Sequence, residues 1–323
     1  MPAGGITTTG RYACSKASAT TPGGRTGRHD DTAMVGVTVR QALVQAGLAP
    51  IDAQVLLAHV LGTDRAWLAA HATDPLVRSD AEAFFTLARR RRDGEPVAYL
   101  TGKREFWGVS ITVDPSVLIP RPETETLVEC ALRMLPADRR VRVLDLGTGS
   151  GAIGLALARE RPLAQVLATD VSVAALAVAT RNGERMKLGN VRWLQSDWYE
   201  RLSGDEGAFD LIVSNPPYVA DADPHLAEGD VRFEPATALR GGRDGLAALR
   251  VVIAGAPARL APGAGLVVEH GYDQADAVRG LMRAAGLADA GDFRDLAGIA
   301  RVSAATKAGA ISNCANPDFR SES

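Results

Sequence analysis

The chain has 323 residues, 46% of them hydrophobic, and a formal net charge of -2, a size that suits about two domains on the usual scale of roughly 100–200 residues each. The near-neutral balance provides no broad basic field for a sequence-independent grip on nucleic acid, although a local basic patch is not excluded by it. Three scattered cysteines, Cys14, Cys130 and Cys314, lack CxxC or Cys/His spacing, which argues against a disulfide framework and a structural zinc and favours a reducing compartment.

Residues 1–34 are rich in Gly, Ser and Thr, carry Arg11, Lys16, Arg25 and Arg28, and contain no acid before Asp30. Lacking a periodic apolar face, the segment buries too little surface to offset its ordering entropy, and a disordered extension is expected. An Arg/Ser-rich, acid-poor leader is also the composition of a transit peptide, which would make the protein mitochondrial, but no convincing amphipathic helix accompanies it. Patterned sequence begins just after Met34, a second candidate start. There is no apolar core of a secretory signal and no run near the roughly 18 residues of a membrane span, so a cytoplasmic protein without membrane contact is expected.

From residue 35 to 93 the pattern is helical. Val39, Leu43 and Val44 recur at helical spacing, as do Ile51, Val55, Leu56, His59 and Val60, with Gly47 and Gly62 at the stops. Further segments around Trp67-Leu68 and Phe84-Phe85-Leu87 complete a small bundle. The run Arg89-Arg90-Arg91-Arg92 reads as a solvated helix end, or else as a contact for RNA or an acidic partner. Over residues 94–118 the helical period is lost, and Glu105 to Val113 is strand material around a Gly turn, which predicts a linking β-hairpin. Pro120-Arg121-Pro122 interrupts regular structure before helical spacing resumes at Glu123 to Met134.

Beyond Arg140, apolar strand-like runs alternate with helical patterns: strand 141–146, helix 152–160, strand 165–169, helix 172–184, strands 191–195 and 209–214, helix 244–260 and strand 264–269. This is the signature of βαβ units and a parallel sheet covered on both faces. The α/β region is placed at residues 119–306, followed by a polar, unstructured tail over 307–323.

Chemistry concentrates at the ends of these strands. Gly147-Thr148-Gly149-Ser150-Gly151 follows the first, where glycines permit a tight turn and let a ligand approach the free N–H groups of the next helix. Alone, such a loop suits a dinucleotide, a nucleotide or S-adenosylmethionine, or is only a turn. With Gly147 and Gly149 as the first glycines of GxGxxG, the third place falls on Ala152, which that pattern tolerates. Asp170 ends the next strand at roughly the 20-residue offset of a ribose-binding acid; its structural alternative is a helix N-cap. Ser196-Asp197-Trp198 ends the third strand and offers a carboxylate for an adenine amino group and an aromatic wall, although Trp198 serves equally as core. Asp145 is expected either to reach a bound methyl donor or to orient the loop.

Asn215-Pro216-Pro217-Tyr218 follows the strand Phe209 to Ser214. A planar sp² nitrogen is a poor nucleophile because its lone pair is delocalised. Two acceptors on its N–H bonds, the Asn215 side-chain oxygen and the Pro216 carbonyl, would turn that lone pair toward an electrophilic carbon, with Tyr218 as a packing face. Asn215, Pro216 and Tyr218 are therefore the candidate catalytic residues, and Asn215 through Tyr218 the candidate substrate site. The structural alternative is a turn, which all three residue types favour.

The alternation together with DLGTGSG, ATD and SDW resembles class I S-adenosylmethionine-dependent methyltransferases. Asn-Pro-Pro-Tyr is shared by enzymes acting on adenine amines and on glutamine amides. The segments Glu95 to Gly108, Leu118 to Glu125, Asp230 to Pro235 and Glu269-His270-Gly271 closely resemble the HemK/PrmC family of release factor glutamine methyltransferases. The resemblance spans about Val37 to Ala305. It implies a class I methyltransferase (Rossmann-like) sheet, an N-terminal helical domain that docks class 1 peptide chain release factors, and methylation of the glutamine of a Gly-Gly-Gln motif. Carried over by position, S-adenosyl-L-methionine would contact Gly147, Thr148, Gly149, Ser150, Gly151, Asp170, Asp197, Trp198 and Asn215. Arg121, Pro122 and Glu123 fall near the pocket without an assigned role. No metal and no nucleic acid is required, and a monomer is expected. The extension departs from the family pattern, as do the residues between Asp295 and Arg301. The alternatives are a glutamine methyltransferase of a ribosomal protein, an adenine amino methyltransferase, and a cofactor-binding adaptor without turnover.

Overall fold

The computed structural model describes residues 34–309; the extension expected before Met34 and the tail from residue 310 onward lie outside them. The chain opens with β1 (Met34–Thr38), α1 (Val39–Gln45), α2 (Pro50–Leu61), α3 (Arg65–Ala70), β2 (Pro75–Val77) and α4 (Arg78–Arg92). Thr38 and Gln41 form a reciprocal capping box at the start of α1, and Asp64 accepts the Trp67 N–H at 2.8 Å to cap α3. Gly62 ends α2 in the left-handed conformation. Leu56, Leu57, Leu68, Leu76 and Phe84 form the core of this unit, each large side chain contributing about 1.5–3 kcal/mol on burial.

The buried stripe of α2 differs from the one read by periodicity. Ala53, Leu56 and Leu57 face inward, whereas Ile51 and His59 are exposed, as is Val44 on α1. The helix is apolar on more than one side, so spacing alone did not choose the face. The antiparallel pairing of β1 with β2 was also not anticipated.

A short helix, α5 (Val97–Thr101), occupies the stretch read as losing helical period. The hairpin that follows, β3 (Lys103–Phe106) and β4 (Val109–Thr112), turns through Trp107 and Gly108, both at positive φ, the conformation of a tight two-residue hairpin. The Trp107 N–H donates to Glu125 Oε1 at 2.8 Å and its indole N–H to Glu160 Oε1 at 3.2 Å, fastening the hairpin tip to the next unit.

That unit contains α6 (Glu125–Met134), β5 (Val141–Leu146), α7 (Ala152–Glu160), β6 (Ala164–Asp170), α8 (Val173–Met186), β7 (Val191–Gln195), β8 (Phe209–Ser214), α9 (Ala236–Leu239), α10 (Ala247–Arg259), β9 (Leu260–Glu269), α11 (Ala275–Ala284), β10 (Leu287–Arg294) and β11 (Ala300–Lys307). Seven strands form one sheet in the order β10-β11-β9-β8-β5-β6-β7, with β11 antiparallel to both neighbours and the remaining pairs parallel. Alternate strand residues feed two cores. Val143, Val166, Leu211 and Val267 pack with α6, α7 and α8. Leu144, Leu167, Ile212 and Leu266 pack with α10 and α11. Lys307, expected to open the tail, instead closes β11, and its ammonium donates to the Pro257 and Leu260 carbonyls at 2.7 and 2.8 Å.

From β5 the chain steps outward to β6 and β7, then returns to β8 on the other side of β5. Strand order reverses between β5 and β8, and the crevice beyond their carboxyl ends is where open α/β sheets bind ligands.

Candidate active site

A cavity of about 290 Å³ occupies that crevice. Its lining includes Gly147, Thr148, Gly149 and Ser150 after β5, Asp170 after β6, Ser196, Asp197 and Trp198 after β7, and Asn215 and Pro217 after β8. Residues scattered over the sequence thus meet because each sits at a strand end on one edge of the sheet.

The glycine loop is held from below. Asp145 is fully buried; its Oδ2 accepts the Thr148 hydroxyl at 2.6 Å and the Gly154 N–H at 3.0 Å, while Oδ1 has no partner among the described residues. Burial pushes its carboxyl up to about 6, against the lowering effect of those two donors. Asp145 does not line the cavity, so orienting the loop is the role its contacts display. Gly151, the cap of α7, has φ +83°, and a Cβ there would lie 3.0 Å from Leu155 and 3.2 Å from Ala179. A Cβ on Gly154 would come within 2.8 Å of Asp145 Oδ2. Close helix–strand approach therefore belongs to Gly154, and the GxGxxG register is Gly149, Gly151, Gly154 rather than the one ending at Ala152.

Asp170 spans the loop and the next helix: Oδ2 accepts the Gly149 N–H and Oδ1 the Ser172 N–H, both at 2.9 Å. Burial raises its pKa, with these N–H groups opposing. The N-cap of α8 is Ser172, whose hydroxyl accepts the Ala175 N–H at 3.2 Å. Asp170 is thereby released from the capping role. Trp198 lines the cavity and also packs against the core. Its φ of +43° and the Ser196 hydroxyl donating to its carbonyl at 3.0 Å turn the ring beside Gly147.

At the end of β8, Asn215 Nδ2 donates to the Thr124 hydroxyl oxygen at 3.2 Å. Asn215 and Pro217 line the cavity; Pro216 is buried, and Tyr218 lies outside the lining, its hydroxyl donating to Glu269 Oε1 at 3.0 Å. The loop is braced from behind, where a Cβ on Gly241 would strike the Pro217 carbonyl and one on Gly245 the Tyr218 carbonyl. Val219 N–H donates to the Leu239 carbonyl and Gly241 N–H to that of Val219, at 2.9 and 2.8 Å.

The segment from Arg121 to Glu125 acquires contacts that its sequence did not assign. Arg121 pairs with the buried Glu234 at 2.7 Å, Thr124 meets Asn215, and Glu125 holds the hairpin. Burial pushes Glu234 up to about 6, opposed by Arg121. Within the arginine run, Arg91 pairs with Asp52 at 2.8 Å and with Asp230 at 2.6 Å, tying the helical unit to the segment that carries Glu234. That residue is a structural tie rather than a solvated end.

Sequence comparison agrees with this geometry. Residues 124–238 match the Methyltransferase small domain family, and residues 38–102 match the PrmC N-terminal domain family. The Release factor glutamine methyltransferase of Bordetella pertussis is 53% identical over 265 residues, covering 82% of this chain and 97% of that protein. The chain belongs to the release factor glutamine methyltransferase family. The protein of that name from Escherichia coli K12 is 45% identical over 260 residues, covering 80% of this chain and 93% of its own length. The solved hMettl16 catalytic domain, in complex with MAT2A 3'UTR hairpin 6, covers 74% of this chain and 87% of its own at 17% identity and a TM-score of 0.51, a likeness of fold alone.

The methyl donor of this family is S-adenosylmethionine, and the cavity fits it chemically. The glycine loop leaves open space over Gly149, two carboxylates, Asp170 and Asp197, stand on the lining as acceptors, and Val117, Leu118, Ile153, Val171 and Trp198 provide apolar walls. Among the described residues no acidic, His or Cys cluster suits a metal ion, and no helix is long and apolar enough to cross a membrane.

Four contributors escaped the sequence reading. Thr124 and Glu269 lie in the segments that carry the family resemblance, without assigned roles, and Gly154 stood one register away. Asn182 is wholly buried on α8: its Oδ1 accepts the Thr112 N–H at 2.8 Å, and its Nδ2 donates to the Thr112 carbonyl at 3.0 Å and the Ser150 carbonyl at 2.9 Å. It thus joins the hairpin to the glycine loop. An asparagine on the apolar stripe Ala175, Val178, Ala179 was the available signal.

Proposed function

We propose that this protein transfers a methyl group from S-adenosylmethionine to the side-chain amide nitrogen of the glutamine in the Gly-Gly-Gln motif of class 1 peptide chain release factors. The observation that carries this is the orientation of Asn215: with Nδ2 engaged by Thr124, its Oδ1 remains an acceptor beside the cavity. A carboxamide N–H is its natural partner. The name carried by the Bordetella pertussis and Escherichia coli relatives supports the choice of a release factor as substrate.

In this reading Gly147 through Gly151, Asp170, Asp197 and Trp198 hold the methyl donor, which supplies an electrophilic methyl on a sulfonium. Asp170 accepts from ribose hydroxyls while its present N–H partners keep it in place; Asp197 and Trp198 take the adenine. Asn215 Oδ1 and the Pro216 carbonyl accept the two amide N–H bonds, which directs the nitrogen lone pair inward, and Pro217 closes that wall. Tyr218 acts from behind, through Glu269. Positioning of this kind is worth about 7–11 kcal/mol in well-oriented systems, so no general base is needed before transfer. The extra proton leaves once the nitrogen is cationic. The helical unit docks the release factor, and the protein works as a cytoplasmic monomer without nucleic acid.

The test is mass spectrometry of a release factor incubated with the protein and S-adenosylmethionine, with a ribosomal protein and adenine-containing DNA as parallel substrates. A gain of one CH₂ on the Gly-Gly-Gln glutamine is expected; methylation confined to either parallel substrate would overturn the assignment.

A further inference from the structure

Two buried polar groups beside the Asn215–Pro217 side of the cavity, its acceptor wall, have hydrogen-bonding capacity that complements one another. Thr124 is 4% exposed, and its hydroxyl oxygen accepts Asn215 Nδ2 at 3.2 Å. The acceptor within reach of its own hydroxyl proton is the Glu269 carboxylate. Glu269, 1% exposed at the end of β9, accepts the Tyr218 hydroxyl through Oε1, while Oε2 is buried and has no further partner among the described residues. A buried carboxylate oxygen left unpaired is costly. The Thr124 hydroxyl acts on this carboxylate, opposing the effect of its burial.

We propose that Glu269 and Thr124 form a one-way hydrogen-bond chain that fixes which end of the Asn215 carboxamide faces the substrate. The Thr124 hydroxyl donates a hydrogen bond to the Glu269 carboxylate, Asn215 Nδ2–H donates to the Thr124 oxygen, and Oδ1 is left as an acceptor toward the cavity. An ionised carboxylate can only accept hydrogen bonds, so the direction of the whole chain is set at its inner end. Reversed, it would aim the Asn215 NH₂ at the substrate amide NH₂, donor against donor. Thr124 and Glu269 are thus positioning residues for amide selection, an inference that rests on the function proposed above.

Proton occupancy of Glu269 should then control the rate. Facing it are the Tyr218 hydroxyl beyond β8, Glu123 and Thr124 before α6, and Arg301 on β11, itself paired with Asp295; His270 adjoins it in sequence. Burial pushes its carboxyl up to about 7, with the Thr124 and Tyr218 hydroxyls and Arg301 opposing and Glu123 adding to the rise. Below that pH the protonated group becomes a donor and the chain loses its polarity.

The experiment measures kcat against pH on the full chain with a release factor, and calorimetric affinity for S-adenosylmethionine. Thr124→Val should lower kcat by about tenfold to a hundredfold, the scale seen when a partner that orients a metal ligand is lost, with cofactor affinity retained. Thr124→Ser, which restores the hydroxyl, should recover most of that loss. In the parent, kcat should rise through pH 7; in Glu269→Gln, which can donate to Thr124, kcat should be low and this limb absent. Parental kcat in Thr124→Val, or a parental acid limb in Glu269→Gln, overturns the chain while leaving the substrate assignment standing. Should Thr124→Val fail to bind cofactor, the Thr124→Ser and Glu269→Gln results decide. A parent that methylates no release factor overturns both.

Discussion

In the reading proposed above the methyl donor lies against one side of the cavity, the donor wall, which is built largely through main chain: the Gly147–Gly151 loop, Asp170 on two backbone N–H groups, and Ser196 turning Trp198 through a contact two residues away. On the acceptor wall the side chains depend on one another across the fold, Asn215 on Thr124 and Tyr218 on Glu269, over 91 and 51 positions of sequence. The contrast follows from the ligands. A cofactor can be gripped by backbone geometry at strand ends, and a main-chain carbonyl such as that of Pro216 is always an acceptor, whereas a side-chain carboxamide can present either end and needs a buried network to fix which one.

If the walls are separable, variants should divide by kinetic parameter. The largest effect is expected for Asn215→Ala, a loss of about 2.7–4 kcal/mol in kcat, as for other preorganised transition-state partners; calorimetric affinity for S-adenosylmethionine should change little. An equal fall in both would merge the two walls. Asp170→Ala should do the opposite, weakening cofactor binding by about 1.5–3 kcal/mol, the scale of hydrogen bonds to a charged group, while kcat at saturating cofactor stays close to the parent. Unchanged calorimetric affinity would remove Asp170 from the donor wall.

A smaller effect concerns the foundation of the donor wall. Asp145 is raised from 3.8 to about 6, so the fold prefers its protonated form. That contribution to stability is complete below about 3.8 and is lost as pH rises through about 6. Asp145→Asn should therefore stabilise the protein at pH 8 by roughly 1–2 kcal/mol, given about 1.4 kcal/mol per pKa unit less the cost of an unpaired Nδ2–H. The advantage should shrink at pH 5. Thermal melts of parent and variant at both pH values check this, and an equal gain at both would mean that charge burial is not the cause. The smallest effect is assigned to neither wall: Arg91→Ala removes the half-exposed tie to Asp230 and should cost at most about 1 kcal/mol in kcat/KM for the release factor, without moving cofactor affinity.

Much of the donor wall could be read from the chain because its cues are local. Gly147, Gly149 and Gly151, Asp170 and Trp198 each follow an apolar run, and an element end needs no distant partner to be recognised. The βαβ alternation likewise predicted the parallel sheet through β9. At its far edge β10 was missed because most of its residues are half-exposed or exposed, whereas α11 carries a clear apolar stripe, with Val278 and Met282 buried, that went unassigned. The hydrophobic face of α2 was misassigned for another reason, since the surplus of apolar residues on that helix left several faces plausible until α4 and α5 packed against it.

By itself, the order of residues determined the class of sheet, the strand ends where chemistry gathers, and the pairing of a glycine loop with Asn-Pro-Pro-Tyr. Only the tertiary structure decided that Ser172 caps α8 and leaves Asp170 free, that Asn182 joins hairpin to loop, and that Thr124 and Glu269 stand behind Asn215. The reason is physical: periodicity and turn chemistry act within a few residues, whereas a buried side chain's hydrogen-bond partner is set by which elements the packed core brings together, whatever their separation along the chain.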